Sequence, residues 1–186
     1  SNYNPTNNGV LSVYGVDENG CQSQDTQHFI QLHPPLTVSA ETIQSLICEG
    51  DTTEVIANGS GGIGNSFSYS WNNGLPTSQS NLVTPSTTTT YTVSLTDGCE
   101  TPAATADITI EVNELPQTTS IVGLTEVSPL TSYQYSVSEN INSQYSWMAE
   151  NGAIISGQGS NIVLVQWFNN GVGQLSVVET DGNGCV

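Results

Sequence analysis

The sequence predicts an all-β protein built from several small sandwich domains joined in tandem. Three observations predict it: a two-residue apolar alternation, regularly placed turn dipeptides, and an internal repeat. The alternation recurs along the chain, in Leu11-Ser12-Val13-Tyr14-Gly15-Val16, His28-Phe29-Ile30-Gln31-Leu32, Tyr91-Thr92-Val93-Ser94-Leu95 and Ile108-Thr109-Ile110-Glu111-Val112. Ser66-Phe67-Ser68-Tyr69-Ser70-Trp71 sets three aromatic residues opposite three serines. Tyr133-Gln134-Tyr135-Ser136-Val137, Gln144-Tyr145-Ser146-Trp147, 162–167 and 174–178 complete the set. A period of two buries one face of a strand and wets the other. Asn8-Gly9, Asn19-Gly20, Asn58-Gly59, Asn73-Gly74, Asp97-Gly98, Asn151-Gly152 and Asn170-Gly171 separate these runs as turn signals. No segment sustains a 3.6-residue apolar period over three turns. Many short strands with regular turns indicate a sandwich or barrel.

The repeat sets the expected boundaries. Asn7-Asn8-Gly9-Val10, Leu11-Ser12-Val13 and Asp17-Glu18-Asn19-Gly20-Cys21 near the start return as Asn169-Asn170-Gly171-Val172, Leu175-Ser176-Val177 and Asp181-Gly182-Asn183-Gly184-Cys185. The offset grows from 162 to 164 residues. An intermediate copy reads Tyr91-Thr92-Val93-Ser94-Leu95-Thr96-Asp97-Gly98-Cys99, and Tyr69-Ser70-Trp71 returns 76 residues later as Tyr145-Ser146-Trp147. Pro34-Pro35 and Leu115-Pro116 mark the joints, where proline stiffens a linker and stops a strand. Residues 1–33 are expected to be the last strands of one domain, 34–113 a complete domain, and 114–186 a third lacking its last strand. Ser1 then reads as an internal point of a longer chain, with the targeting signal outside this sequence.

The charge inventory excludes several functions. The 186 residues include 17 Asp and Glu, no Lys or Arg, and two histidines. Ordinary usage would supply about twenty basic residues. Binding nucleic acid by phosphate neutralisation is excluded on that ground. No apolar run is long enough for a membrane span. Absent Lys and Arg also leave trypsin-like proteases nothing to cut, although drift in an acidic extracellular repeat is the better explanation of the composition. Disorder is rejected, because charges are sparse at 9% and ordered alternation lies between them.

The middle unit combines Ile47-Cys48-Glu49-Gly50, Tyr69-Ser70-Trp71, Thr89-Thr90-Tyr91-Thr92-Val93 and Asp97-Gly98-Cys99. The third combines Tyr145-Ser146-Trp147 with residues 152–161 and then Val163, Val165 and Trp167. Over nearly the whole chain this resembles the PKD-like and Ig-like repeats of large Bacteroidetes cell-surface proteins, including gliding adhesins. The resemblance implies tandem Ig-like/PKD-like β-sandwich domains in an elongated array, export by the type IX system, and a role as stalk, adhesin or filament. One departure is Ser128, which stands where the middle unit has Cys48.

With no CxxC and no Cys/His cluster, zinc is disfavoured. Cys48 and Cys99 flank one expected domain, and a disulfide between them suits an exported protein. Closing that loop would stabilise by about 4 kcal/mol. Cys21 and Cys185 share the register of Cys99 and are expected to be unpaired or intermolecular thiols. Trp71 and Trp147 lie where sandwiches bury a core tryptophan. Trp167, ending an apolar strand, is the candidate for an exposed contact at the rim. His28 and His33 are five residues apart and face opposite sides of a strand, against a shared metal. Asp17, Glu18 and Asp181 are weak candidates for Ca²⁺, short of an EF-hand loop. Asn58-Gly59-Ser60 and Asp51-Thr52-Thr53 match glycosylation patterns of low specificity.

No GxSxG, HExxH or P-loop is present, isolated carboxylates such as Glu150 lack a visible partner, and no Lys or Arg can clamp a phosphoryl group. The sequence therefore points to a non-enzymatic structural or adhesive stalk. Its expected partners are neighbouring repeats, other copies in a fibre, and surface glycans. The alternative is a carbohydrate-binding module of a secreted hydrolase.

Overall fold

The computed structural model describes residues 9–24, 26–64, 66–99 and 101–186, with only the backbone of Val10 and Leu11. Asn7 and Asn8, part of the repeat motif and of the first expected turn, lie outside the described residues. The described residues are all-β, as the sequence predicts. The strands are β1 (Gly9–Val13), β2 (Thr26–Ile30), β3 (Thr37–Thr42), β4 (Leu46–Cys48), β5 (Thr53–Ser60), β6 (Ser68–Trp71) and β7 (Ser80–Val83). They continue as β8 (Thr89–Thr96), β9 (Ala104–Asn113), β10 (Ser132–Ser136), β11 (Gln144–Glu150), β12 (Gly152–Ser156), β13 (Ile162–Trp167) and β14 (Gln174–Thr180). No helix among the described residues is long and apolar enough to cross a membrane. Among the described residues five sheets result, ordered β1-β2, β3-β5-β7, β4-β9-β8-β6, β10-β13-β12 and β11-β14.

These strands divide into two compact units. The first comprises Ser1–Thr42, Val55–Asn81 and Tyr91–Ile108. In it β3 runs antiparallel to β5, and β6 antiparallel to β8 with Trp71 opposite Val93. Val55 and Ala57 of β5 are buried, as are Trp71, Tyr91, Val93 and Leu95 from β6 and β8. The alternation predicted from period two is visible in the inward turn of every second residue of β8. Asn58-Gly59 is not a turn. It lies inside β5, and a Cβ at Gly59 would stand 2.6 Å from Leu95 Cδ2. The glycine there admits the leucine, and the chain reverses beyond it at Gly61 and Gly62, both at positive φ.

The second unit comprises Ile43–Glu54, Leu82–Thr90 and Thr109–Val186. Its two sheets β10-β13-β12 and β11-β14 enclose one core. Tyr135, Val163, Val165 and Trp167 enter from the first sheet, Tyr145 and Trp147 from the second, with Val137 beside them. Edge strand β12 carries a register shift between Ile154 and Ser156, the kink by which a sheet blunts an open edge. Segment 43–54 contributes β4, which pairs in parallel with the end of β9, Cys48 opposite Asn113.

The repeat of Tyr-Ser-Trp persists in three dimensions. Trp71 Nε1 donates to Ser78 O at 3.0 Å, and Trp147 Nε1 donates to Ser160 O at 2.8 Å. Each serine stands two residues before a strand, and its hydroxyl donates to the carbonyl two residues on, Ser80 O or Ile162 O, at 2.7 Å. A buried indole N–H needs an acceptor, and the same short turn supplies it in both units.

Candidate functional site

Beside the core of the second unit lies a cleft of about 600 Å³. Its floor is Trp167, at the end of β13, with Tyr135 of β10. The walls are the loop before β10, including Thr125 and Glu126, and the β13–β14 loop, including Asn169 and Asn170. Trp167 Nε1 donates to Tyr135 Oη at 2.9 Å, and Tyr135 Oη donates to Leu124 O at 3.0 Å. The rings meet edge to face with centroids 6.1 Å apart, a favoured aromatic geometry. Both buried polar tips are thereby satisfied.

Glycines decide how close the loops come. A Cβ on Gly152 would stand 2.8 Å from Trp167 Cε3, one on Gly173 would run into the same indole, and one on Gly123 into the Tyr135 ring. Leu130, at φ 60°, is fixed next to this floor: its N–H donates to Trp167 O at 2.7 Å and its carbonyl accepts from Gln166 Nε2 at 3.2 Å. The cleft offers a thin aromatic edge, the three amide side chains of Asn151, Asn169 and Asn170, the Thr125 hydroxyl and the Glu126 carboxylate, and no cation. Such a set suits a neutral, hydroxyl-bearing ligand and repels anions.

Trp167 is 8% exposed. It therefore belongs to the core, and the expected exposed rim contact is corrected: the indole N–H turns inward to Tyr135 and leaves only an edge to solvent. Trp71 and Trp147 are buried, at 6% and 4% exposure.

At the opposite end of β14, Glu179 is a buried carboxylate. Oε2 accepts from Thr118 Oγ1 at 2.9 Å, and Oε1 from Asn140 Nδ2 at 2.8 Å. Tyr145 Oη, which accepts from Asn140 N, lies 3.4 Å from Oε1. Burial pushes the Glu179 pKa up, but hydrogen bonds from Ser143, Asn140, Thr118 and Tyr145 outweigh it and hold the carboxyl below its usual value. Asp97 in the first unit is similar. It accepts from Thr101 Oγ1, Ile63 N, Gly64 N and Cys99 N, and these hydrogen bonds, Thr101 first, hold it well below the usual carboxylate range. Both carboxylates serve as static acceptors that tie loops together. Period-two reading marks neither, since Asp97 lies just past β8 and Glu179 takes an inward position of β14 in line with apolar Leu175 and Val177.

The cysteines require a correction. Cys48 is bonded to Cys185, 137 residues away with Cα atoms 5.6 Å apart, and Cys99 is a free, exposed thiol. Cys21 is likewise free and exposed. Cys185, expected to be unpaired, is 1% exposed. Shared register misled because it fixes the loop and leaves the partner open. Asp17 Oδ1 accepts from Asn19 N and Cys21 N, and Asp181 Oδ1 accepts from Asn183 N and Cys185 N. Those two loops set the cysteine four residues after the aspartate, whereas Cys99 follows Asp97 by two.

The same bonds answer for the Ca²⁺ candidates. Asp17 and Asp181 already use Oδ1 to close turns. The Cys185 N–H, then Asn183, hold the Asp181 carboxyl below its usual pKa against the cost of burial. No group of three or more His, Cys, Asp or Glu fit to hold a metal occurs among the described residues, and Glu18 joins none. His28 lies in β2 and His33 beyond it.

No protein-family model matches the chain, and no curated protein does. Among solved structures it is similar to murine CEACAM1b, at 15% identity and TM-score 0.34, covering 77% of this chain and 92% of that one. The N-terminal eight Ig domains of Down Syndrome Cell Adhesion Molecule match at 11% and 0.36, covering 92% and 30% respectively. Three N-terminal domains of the bacteriophage RB49 Highly Immunogenic Outer Capsid protein match at 18% and 0.38, covering 80% and 56%.

Proposed function

We propose that the chain is a non-catalytic structural or adhesive segment of a secreted surface protein, made of tandem Ig-like sandwiches with 34–113 as a whole domain. The observation that carries this reading is the Cys48–Cys185 bond. A disulfide persists in oxidising, extracellular surroundings, and one spanning most of the chain shields the enclosed residues from tension applied at the ends. Buried carboxylates saturated by hydrogen bonds, and the absence of Lys and Arg, support a scaffold over a catalyst. The Bacteroidetes origin and gliding role remain what the repeat motifs imply.

Pulling single molecules by their ends tests the mechanical role. Under oxidising conditions, unfolding releases less chain than after reduction, by 137 residues at about 3.6 Å each, or about 490 Å. Equal contour lengths in both states, or a compact particle by small-angle scattering, would remove the stalk reading. The cleft over Trp167 favours a second reading, a carbohydrate-binding accessory module. A glycan array distinguishes them: saturable binding lost in Asn169→Ala favours the accessory module.

A further inference from the structure

Six Asn-Gly pairs lie within the described residues, beginning at Asn19, Asn58, Asn73, Asn151, Asn170 and Asn183. Asn-Gly is a reactive dipeptide as well as a turn former. Glycine has no side chain to shield its backbone nitrogen, so that nitrogen can reach the Cγ of the preceding asparagine and close an imide ring. Closure requires the peptide between the two residues to turn about the asparagine ψ. A hydrogen bond or a ladder that fixes this peptide must open first.

Five of the six pairs are held. Gly20 N donates to Asp17 O at 3.0 Å and Gly184 N to Asp181 O at 3.1 Å, so the two repeated loops tie up both attacking nitrogens. Asn19 N and Asn183 N donate in turn to the carboxylates of Asp17 and Asp181. Asn58-Gly59 lies within β5, where Asn58 pairs with Ser39 and Gly59 with Val38. Asn73, left-handed at φ 54°, sits in a turn closed by Leu75 N on Asn72 O at 3.3 Å. Asn151 is left-handed at φ 60°. Its carbonyl accepts from Phe168 N at 3.1 Å, and its side-chain amide donates to Val172 O at 3.5 Å. Asn170-Gly171, in the β13–β14 loop, differs from all five. Neither residue makes a hydrogen bond to any described residue, and both are exposed. A Cβ on Gly171 would meet nothing within 4 Å, which leaves room for a ring to close.

We infer that Asn170 is a self-modification site, at which the folded chain deamidates through a succinimide ahead of the five held pairs. Gly171 N bonds to Asn170 Cγ, and the bond from Cγ to the side-chain nitrogen breaks. Ammonia leaves with the proton that Gly171 N gives up. Water then opens the imide at either carbonyl and returns a proton to Gly171 N, leaving aspartate or isoaspartate. Water is the sole co-reactant. Each event adds a carboxylate to a chain of formal net charge −17. It places that carboxylate on the wall of the cleft that Glu126 also lines, against a neutral ligand's needs. Isoaspartate also lengthens the main chain of the loop by a methylene. The inference concerns this loop alone and stands apart from the stalk and accessory-module readings.

The test ages the whole oxidised chain at mildly alkaline pH and follows each pair by mass spectrometry. Digestion is by pepsin in acid, which halts the reaction, since trypsin finds no Lys or Arg. Asn170 is expected to convert at least about tenfold faster than Asn19, Asn58, Asn73, Asn151 and Asn183. In the reduced chain unfolded in urea, the six pairs convert at similar rates. Asn170→Gln stays unmodified over the same time, because glutamine must close a larger ring. An Asn170 as slow as Asn183 in the native chain overturns the inference. An equal advantage for Asn170 in urea also overturns it, by assigning the rate to neighbouring residues and not to the fold. Conversion of the glutamine at the asparagine's rate overturns the succinimide route, because direct hydrolysis would treat the two amides alike.

Discussion

A tryptophan on an alternating strand is either core or platform, and for Trp167 its hydrogen bond to Tyr135 decides. Two aromatic residues and the glycines facing them form one packed set, so a small addition should be felt. Gly173→Ala is expected to cost about 1–3 kcal/mol, because the methyl meets a ring with nowhere to retreat. A urea midpoint unchanged from the parent would show that the loop simply swings out. The thiols give a sharper contrast. Cys185→Ser removes the closure of a 137-residue separation and is expected to destabilise by about 5 kcal/mol, while Cys99→Ser, at an exposed free thiol, stays within about 0.5 kcal/mol. Thiol titration of the native chain should find Cys21 and Cys99 alone reactive. The sequence marks all four cysteines as notable, but partner choice depends on Cα separation, which no local pattern encodes.

Strands with an apolar face are legible in sequence, and those without one are not. The strands β6, β8, β11, β13 and β14 turn aliphatic or aromatic residues inward at alternate positions, fully buried in β8 and β13 and half-buried at Tyr69, Leu175 and Val177, so alternation finds them. Strand β3 exposes most of its polar residues, β7 buries Asn81 and exposes Leu82, β4 has three residues, and β5 mixes Thr53, Glu54, Asn58 and Gly59 with its apolar positions. These become strands because neighbours complete their ladders, a tertiary effect that overrides propensity. The edge of β11 shows how far this goes, since the Gln158 side chain replaces a strand there. Gln158→Ala should leave the Trp147 N–H and C=O unpaired, lower stability by about 1–2 kcal/mol, and speed exchange of the Trp147 amide. A variant as protected as the parent would mean that water substitutes fully for the glutamine.

At the scale of the whole molecule, seventeen carboxylates without a Lys or Arg act on stability in two opposed ways. Most are exposed and repel one another, so relief of that repulsion stabilises the folded state as pH falls from 7 towards about 4.5. Asp97, Glu179 and Asp181 behave oppositely. Their hydrogen bonds hold each pKa below its unfolded value. The stability they contribute is fully present above the unfolded carboxyl range, about 4, and is lost as pH falls through their folded values. The melting temperature is therefore expected to rise from pH 7 to a maximum at about pH 4–5 and then to fall steeply. Adding salt at pH 7 should raise it as well, because screening weakens the same repulsion. The double variant Asp97→Asn, Glu179→Gln starts lower at pH 7, since amides cannot accept as the carboxylates do, and loses less below pH 4. A melting temperature that stays flat or falls between pH 7 and about 5, where the contribution of Asp97, Glu179 and Asp181 is constant, would mean that repulsion among the exposed carboxylates costs the fold nothing.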